Sequence, residues 1–158
     1  MSFTPSKFFI TSGYATSPIS DLNAFDLALL KAQISEQNLV AVSSVIPVGA
    51  EEVEVRELPM GAVTFCVLSQ MRGRSGDSIA SGIAYTFRKD GHGGYVAEGH
   101  LHGSGDSLKE ELSRKMKEMS RIRGVEFGEI HYRIEELQVP QDEYGCCISA
   151  LVFAEYRD

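Results

Sequence analysis

Apolar and polar residues alternate along most of this chain, which is the pattern of half-buried β-strands. The alternating segments are separated by short runs of Gly, Ser, Asp or Pro. The predicted strands are residues 7–12, 39–42, 52–56, 62–71, 79–88, 94–101, 129–138 and 146–156. Residues 13–20 are predicted to be a loop, and residues 72–77 a hairpin turn. β-Structure therefore dominates the predicted fold.

Two other segments have apolar residues at helical spacing. The first helix is predicted to begin near residue 21 or 23 and to end before the polar residues 35–38. Its apolar stripe consists of Leu22, Phe25, Leu29 and Leu30. The second helix is predicted to begin at a capping box formed by Ser107 and Glu110 and to end at Gly124. Its apolar stripe consists of Leu108, Leu112, Met116, Met119 and Ile122.

These strands and helices together predict an α+β fold. Because each apolar face must be covered, we expect a layered αββα-type sandwich of largely antiparallel sheets, with the two main helices on the outside. The length of 158 residues is typical of one domain, and no repeat, linker or low-complexity segment divides it. A single domain over residues 1–158 is therefore predicted.

Composition and charge narrow the class of protein. The hydrophobic fraction of 43% and the charged fraction of 23% are ordinary for a globular protein. The formal net charge of -7 offers no basic surface to nucleic acid or an anionic membrane, and it favours cationic ligands. No segment is long and apolar enough to span a bilayer, and the N-terminus lacks a secretory signal pattern. We therefore expect a cytoplasmic protein without nucleic-acid or membrane partners.

The cysteines do not indicate a disulfide framework or a metal site. Cys66, Cys146 and Cys147 are an odd set without CxxC spacing, and neighbouring residues on a strand point to opposite faces. Reduced thiols in the core are the simpler interpretation.

Ser43 and Ser44 lie at the predicted end of a strand, shortly before Pro47. If a tight turn holds the Ser44 hydroxyl against the Ser43 carbonyl carbon, an acyl shift from nitrogen to oxygen replaces the peptide bond by an ester, a step that backbone strain would assist. Elimination from the ester leaves dehydroalanine at position 44, which hydrolyses to a pyruvoyl group. A serine pair alone is weak evidence for this chemistry, because two serines at a strand end are common.

Glu98, His100 and His102 alternate along a predicted strand and therefore share one face. Two histidines and one carboxylate are the ligands of some iron sites. The alternative is that the histidines are solvated at the strand edge, and no further residue supports a metal. We predict no metal.

Three motifs occur in matching order. They are Leu-Asn-Ala-Phe-Asp at residues 22–26, Asn-Leu-Val-Ala-Val-Ser-Ser-Val-Ile-Pro at residues 38–47, and Leu-Pro-Met-Gly-Ala at residues 58–62. With Glu98 and residues 145–150, they make this chain resemble the pyruvoyl-dependent arginine decarboxylase family over nearly its whole length. Several motifs in order are more specific than any one of them.

The resemblance implies an enzyme that cleaves itself into residues 1–43 and 44–158 and carries a pyruvoyl group derived from Ser44. It implies that L-arginine is converted to agmatine and carbon dioxide through a Schiff base, within a trimer or a hexamer with sites shared between neighbouring subunits. Glu98 corresponds to the acid that protonates the substrate carbon, and Asn38 to a residue that supports cleavage. Asp26 would bind the distal cation of the substrate, and Ser43 would also contact the substrate.

The residues themselves leave alternatives open. Asp26 could serve the helix dipole or an ion pair, and Asn38 could simply end the turn after the first helix. The same catalytic machinery could act on another amino acid, such as lysine, ornithine or histidine. A non-catalytic trimeric binding protein with the same fold is a third hypothesis, which the intact serine pair and Glu98 disfavour.

Overall fold

The structure, a computed structural model, describes residues 3–157. The described residues exclude Met1 and Ser2, which begin the first predicted cleavage fragment, and Asp158, which ends the second. The helices are α1 (Asp21–Lys31) and α2 (Gly105–Arg123). The strands are β1 (Thr4–Ser17), β2 (Asn38–Ala41), β3 (Val45–Ile46), β4 (Glu51–Glu52), β5 (Val63–Arg74), β6 (Ser78–Phe87), β7 (Gly94–His102), β8 (His131–Gln138) and β9 (Tyr144–Arg157).

Within residues 3–157 the strands form two sheets. The first has five strands in the order β2-β5-β9-β1-β4, and the second has four in the order β3-β7-β6-β8. The second sheet is antiparallel, whereas the first is mixed because β2 pairs in parallel with β5, and β4 with β1. The predicted α+β fold with largely antiparallel sheets is confirmed.

The sheets pack face to face, and each helix covers one outer face. α1 lies on β1, β5 and β9 of the first sheet, and α2 lies on β6, β7 and β8 of the second. The buried residues between the sheets come from both, and include Phe8, Ile10, Val67, Ile83, Val96 and Leu151. Each apolar layer is thus covered on both sides, and the chain has the expected αββα order. No helix within residues 3–157 is long and apolar enough to cross a membrane.

The buried face of α1 differs from the predicted stripe. Leu22 and Leu30 are 62% and 55% exposed, whereas Ala24, Ala28 and Leu29 are buried. The physical reason is a close approach between helix and sheet: a Cβ atom at Gly13 on β1 would lie 2.7 Å from the Ala28 carbonyl oxygen. Small residues on both elements therefore decide which helix face packs.

The second helix begins three residues earlier than predicted. Ser104, not Ser107, is the N-cap, and its hydroxyl accepts a hydrogen bond from the Ser107 backbone N–H. The capping box with Glu110 is therefore wrong. The predicted end of the helix at Gly124 is confirmed, because Gly124 is the C-cap and adopts a left-handed conformation with φ of 63°. Of the predicted stripe, Ile122 is exposed.

Two predictions about loops are also wrong. Residues 13–17 continue β1, because they pair with residues 144–148 of β9. Residues 72–77 do not form a hairpin turn, since β5 and β6 belong to different sheets and the turn carries the chain from one to the other. The predicted strand at 52–56 is replaced by the short β4 (Glu51–Glu52), because Glu52 is the one residue of the predicted strand that pairs with β1.

Candidate active site

The Ser43–Ser44 peptide lies where the chain passes from the first sheet to the second. On one side, the Val42 N–H donates to the Cys66 carbonyl of β5 at 2.9 Å. On the other side, the Ser44 carbonyl accepts from the Val96 N–H of β7, also at 2.9 Å. The serine pair is thus fastened to both sheets and spans the gap between their edges.

Ser44 and Glu98 line the same cleft. This cleft has a volume of about 390 Å³. Its lining residues are Val42, Ser43, Ser44, Val67, Val96, Ala97, Glu98, Lys115, Glu118 and Met119. Most of the wall is apolar, and the charged groups come from β7 and α2. The fold therefore places a hydroxyl, a carboxyl group and an ammonium group around one small space.

The serine pair is accessible to reaction. Ser43 is exposed and Ser44 is half-buried. Within the described part of the chain, the Ser44 hydroxyl makes no hydrogen bond, so it is free to turn towards the preceding carbonyl. Neither serine is among the described residues with positive φ, so the structure shows no left-handed backbone strain at this bond.

The charges on the α2 side of the cleft are partly neutralised. The Arg121 guanidinium makes two hydrogen bonds to the Glu118 carboxylate, at 2.9 and 2.5 Å, and holds the pKa of Glu118 below its ordinary value. The Lys115 ammonium donates to the Glu98 backbone carbonyl at 2.8 Å, and it lies 3.9 Å from Glu111. The Glu98 side chain makes no ion pair or hydrogen bond within residues 3–157, which leaves its carboxyl group available.

Comparison with known proteins decides the family. A family model described as pyruvoyl-dependent arginine decarboxylase matches residues 7–158. The chain belongs to the pyruvoyl-dependent arginine decarboxylase family. This membership confirms the predicted enzyme class, a carboxy-lyase that uses a pyruvoyl group.

Individual relatives agree with the family model. The chain is 35% identical over 150 residues to the pyruvoyl-dependent arginine decarboxylase of Methanothermobacter thermautotrophicus, covering 94% of this chain and 97% of the relative. It is 32% identical over 155 residues to that of Thermococcus kodakarensis, covering 97% and 98%. The similarity therefore extends over nearly the full length of both proteins.

A solved structure of a pyruvoyl-dependent histidine decarboxylase has a similar fold. It aligns with a TM-score of 0.51 at 15% identity, over 63% of this chain. The alignment spans 54% of the histidine decarboxylase chain. At this identity the similarity concerns the fold alone.

Asn38, the residue that matches the family motif for cleavage support, does not lie beside Ser44 within one chain. It starts β2, where its side-chain amide donates to the Gly61 carbonyl at 2.9 Å. β2 ends at Ala41, and the next residue, Val42, lies about 13 Å further along the chain than Asn38, at roughly 3.3 Å per residue. The observed contact ties β2 to the segment before β5, and the role of Asn38 in cleavage remains a prediction.

Asp26 is also remote from the cleft within one chain. It is exposed on α1, on the outer face of the first sheet, whereas Ser44 lies at the opening between the two sheets. Within residues 3–157, Asp26 makes no ion pair and no hydrogen bond by its side chain. Its predicted contact with substrate is consequently possible only in a site completed by a second subunit.

The histidines of β7 do not form a metal site with Glu98. His102 lies 3.6 Å from Asp77, at the far end of the strand from Ser44. No group of three or more His, Cys, Asp or Glu residues among the described ones is arranged to hold a metal ion.

A larger groove, about 890 Å³, opens elsewhere on the sandwich. It is lined by residues such as Glu52, Glu54, Arg56, Tyr85 and Arg133. Glu52 accepts a hydrogen bond from the Tyr85 hydroxyl at 2.7 Å, so that pair is already satisfied. Because none of the family motif's serines reaches this groove, the smaller cleft is the better candidate.

Lys115 is a residue of the cleft that the sequence motifs do not indicate. It follows Leu108 by seven residues, so helical periodicity places it beside the apolar stripe of α2. A charged residue at that position was the available signal. Its proximity to β7 could not be predicted, because it depends on how the helix packs against the sheet.

Proposed function

We propose that this chain cleaves itself between Ser43 and Ser44 and then decarboxylates L-arginine to agmatine and carbon dioxide. The observation that supports this most directly is that Ser44 and Glu98 share one cleft in a chain that belongs to the family. Both relatives described above are named arginine decarboxylases, which favours arginine over other amino acids. The whole chain would act as one domain.

Cleavage begins when the Ser44 hydroxyl oxygen attacks the Ser43 carbonyl carbon. The C–N bond breaks as the nitrogen takes up the hydroxyl proton, which leaves an ester between the two residues. Loss of the Cα proton of residue 44 then breaks its Cβ–O bond to the ester, with the carboxylate of Ser43 as the leaving group. The fragment of residues 1–43 then ends in a carboxylate at Ser43, and the dehydroalanine at position 44 hydrolyses with release of ammonia. Anchoring of Val42 and Ser44 to different sheets supports this step, because it fixes both sides of the reacting bond.

The cleft suits a small carbonyl group at position 44. Its walls are largely apolar, including Val67, Val96 and Met119, and its volume of about 390 Å³ accommodates an amino acid. When formed, the pyruvoyl group supplies the electron sink for loss of carbon dioxide. Glu98, on the same wall, donates a proton to the substrate carbon. The new carboxylate of Ser43 remains at the rim, where it contacts the substrate amine.

A site shared between subunits explains the remote position of Asp26. Leu22 and Leu30 lie one helical turn before and after Asp26, and all three are exposed. Val40 and Val42 present a second exposed apolar surface beside the serine pair. Contact between these two different surfaces of neighbouring copies would be head-to-tail, which is the type of contact that forms a ring when the rotation between copies closes. A trimer, or a hexamer built from two trimers, would bring Asp26 of one copy to the cleft of the next.

The proposed location is the cytoplasm. All three cysteines are buried and free of disulfides. Unpaired thiols are typical of a reducing compartment.

The test combines mass spectrometry with amine detection. We expect purified protein to contain two fragments divided between Ser43 and Ser44, the larger one reactive towards carbonyl reagents. Incubation with arginine should yield agmatine, whereas lysine, ornithine and histidine should yield much less of their amines. Ser44→Ala is the matched control and should remain one chain, because no hydroxyl is left to attack. Protein that stays full-length with Ser44 intact after prolonged incubation would refute self-cleavage.

A further inference from the structure

The edge of β7 beyond Ser44 is occupied by a lysine side chain. Alternate residues of a strand direct their backbone groups to the same edge, so Glu98 faces the edge on which Val96 binds Ser44. In the register of β3 with β7, Val42 would lie opposite Glu98. Val42 instead binds β5. Lys115 reaches over from α2 and donates to the Glu98 carbonyl at 2.8 Å.

This geometry places the Lys115 ammonium close to the reactive position. The carbonyl that it caps lies two residues from Val96, which holds Ser44, and that spacing is about 7 Å along a strand. The Lys115 side chain is 44% exposed and lines the same cleft as Ser44 and Glu98. The ammonium is thus held from one side by the backbone and open to the cleft on the other.

Among the described residues that line the cleft, Lys115 is the one cationic side chain. Its nearest carboxylate, Glu111, is 3.9 Å away, which is longer than a hydrogen bond. Glu118 is engaged by Arg121. An ammonium has three N–H donors, and only one is used by the Glu98 carbonyl. Lys115 therefore has donors and charge available for an anionic group.

We propose that Lys115 binds the α-carboxylate of the substrate and thereby distinguishes the amino acid from the amine that is the product. The inference rests on the proposed function. A substrate whose α-amine reacts at position 44 carries its carboxylate on the adjacent carbon, close to this ammonium. The product has lost that carboxylate and has only positive charges, which Lys115 repels.

The interaction belongs to substrate binding and not to the chemical step. The carboxylate loses its charge as carbon dioxide departs, so contact with Lys115 is stronger in the ground state than in the transition state. Removing such a contact raises KM and leaves kcat unchanged or slightly higher. A residue that only held β7 in place would not produce this division between the two constants.

Lys115→Gln is the informative variant, because its side chain, which is one bond shorter, keeps an N–H donor but has no charge. We expect normal self-cleavage, a KM for arginine raised on the order of tenfold, and a kcat within about threefold of wild type, as for loss of a partly solvated charge-assisted hydrogen bond. The inhibition constant of agmatine should stay the same or fall. Lys115→Arg should retain low KM. Lys117→Gln, an exposed lysine of the same helix outside this cleft, should match wild type in every constant.

Three results would overturn the proposal. The first is an unchanged KM in Lys115→Gln, and the second is an equal weakening of arginine and agmatine binding, which would indicate general damage to the cleft. The third is loss of folding or of self-cleavage in Lys115→Gln while Lys115→Arg matures. That result would mean that the positive charge is needed for folding or self-cleavage and not for substrate binding. Wild-type protein that cleaves but makes no agmatine would instead refute the proposed substrate.

Discussion

Replacing Glu98 by Gln isolates the proposed proton donor from the rest of the site. The amide has nearly the same shape as the carboxyl group, and the contact of Lys115 uses the backbone carbonyl, which the substitution leaves in place. In the proposed mechanism, self-cleavage uses the Ser44 hydroxyl and the Ser43 carbonyl and does not use the Glu98 side chain. We therefore expect Glu98→Gln to mature normally and to lose turnover.

We expect Glu98→Gln to have a large effect on the rate of decarboxylation and a small effect on the stability of the fold. A positioned general acid contributes about 10² to 10⁴ in rate, which corresponds to roughly 3 to 5 kcal/mol in the activation free energy. The Glu98 side chain is exposed and without a partner within residues 3–157, so its replacement should change the free energy of unfolding by no more than about 0.5 kcal/mol. For a chain of this length that is about 1 to 2 °C in Tm.

The assay measures maturation by intact mass, agmatine by chromatography and Tm by calorimetry on the same preparations. His100→Ala is the matched control, because His100 lies two residues further along the same strand face. It should retain activity. A fully active Glu98→Gln enzyme would remove Glu98 from the mechanism. Wild-type activity that is abolished by a chelator, together with loss of activity in His100→Ala, would favour the metal hypothesis instead.

Two other predictions test the assembly and the core. If Asp26 and Glu98 of different subunits form one site, Asp26→Asn and Glu98→Gln chains should each be inactive alone. When the two are co-expressed, about a quarter of wild-type activity should return, since one site in four combines two intact side chains. No recovery of activity, or a monomer by light scattering, would contradict a shared site. Burial raises the pKa of Cys66 to about 11, and of Cys146 and Cys147 to about 12, from the ordinary 9.0. The folded chain then holds the thiol protons more tightly than the unfolded chain does. The contribution of these thiols to stability is therefore complete below pH 9 and should be lost as the pH rises towards 12. A free energy of unfolding that stays constant between pH 9 and pH 12 would refute the reasoning.

The strands and the family motif could be predicted because they depend on local pattern. Alternation along β6, β7 and β8 predicted their bounds to within two residues, since each residue's face follows from the pleat. The extent of β1 could not be predicted, because residues 13–17 become a strand through pairing with β9, which is more than a hundred residues away in the chain. The composition of those residues alone favours a loop.

The site was harder to predict than the fold because its members meet through packing. The serine pair and Glu98 were identified from the motif, and the structure brings them into one cleft. Nothing in the sequence indicates that β5 and β6 belong to different sheets, or that Val42 and Ser44 are bound to different sheets. The buried face of α1 is equally a tertiary property, set by Gly13 against Ala28.

The position of the proposed cleavage bond reconciles self-cleavage with a stable fold. Residues 4–17 form β1, which lies between β9 and β4 inside the first sheet, so this part of the N-terminal fragment pairs with the C-terminal fragment along its whole length. β2 pairs with β5, which also belongs to the C-terminal fragment. Breaking the bond at the crossing between sheets removes one covalent link at a half-buried bend and none of these ladders. The bond can therefore be broken without opening the core, and its two residues line the same cleft as Glu98, where the proposed reaction needs the new chain ends.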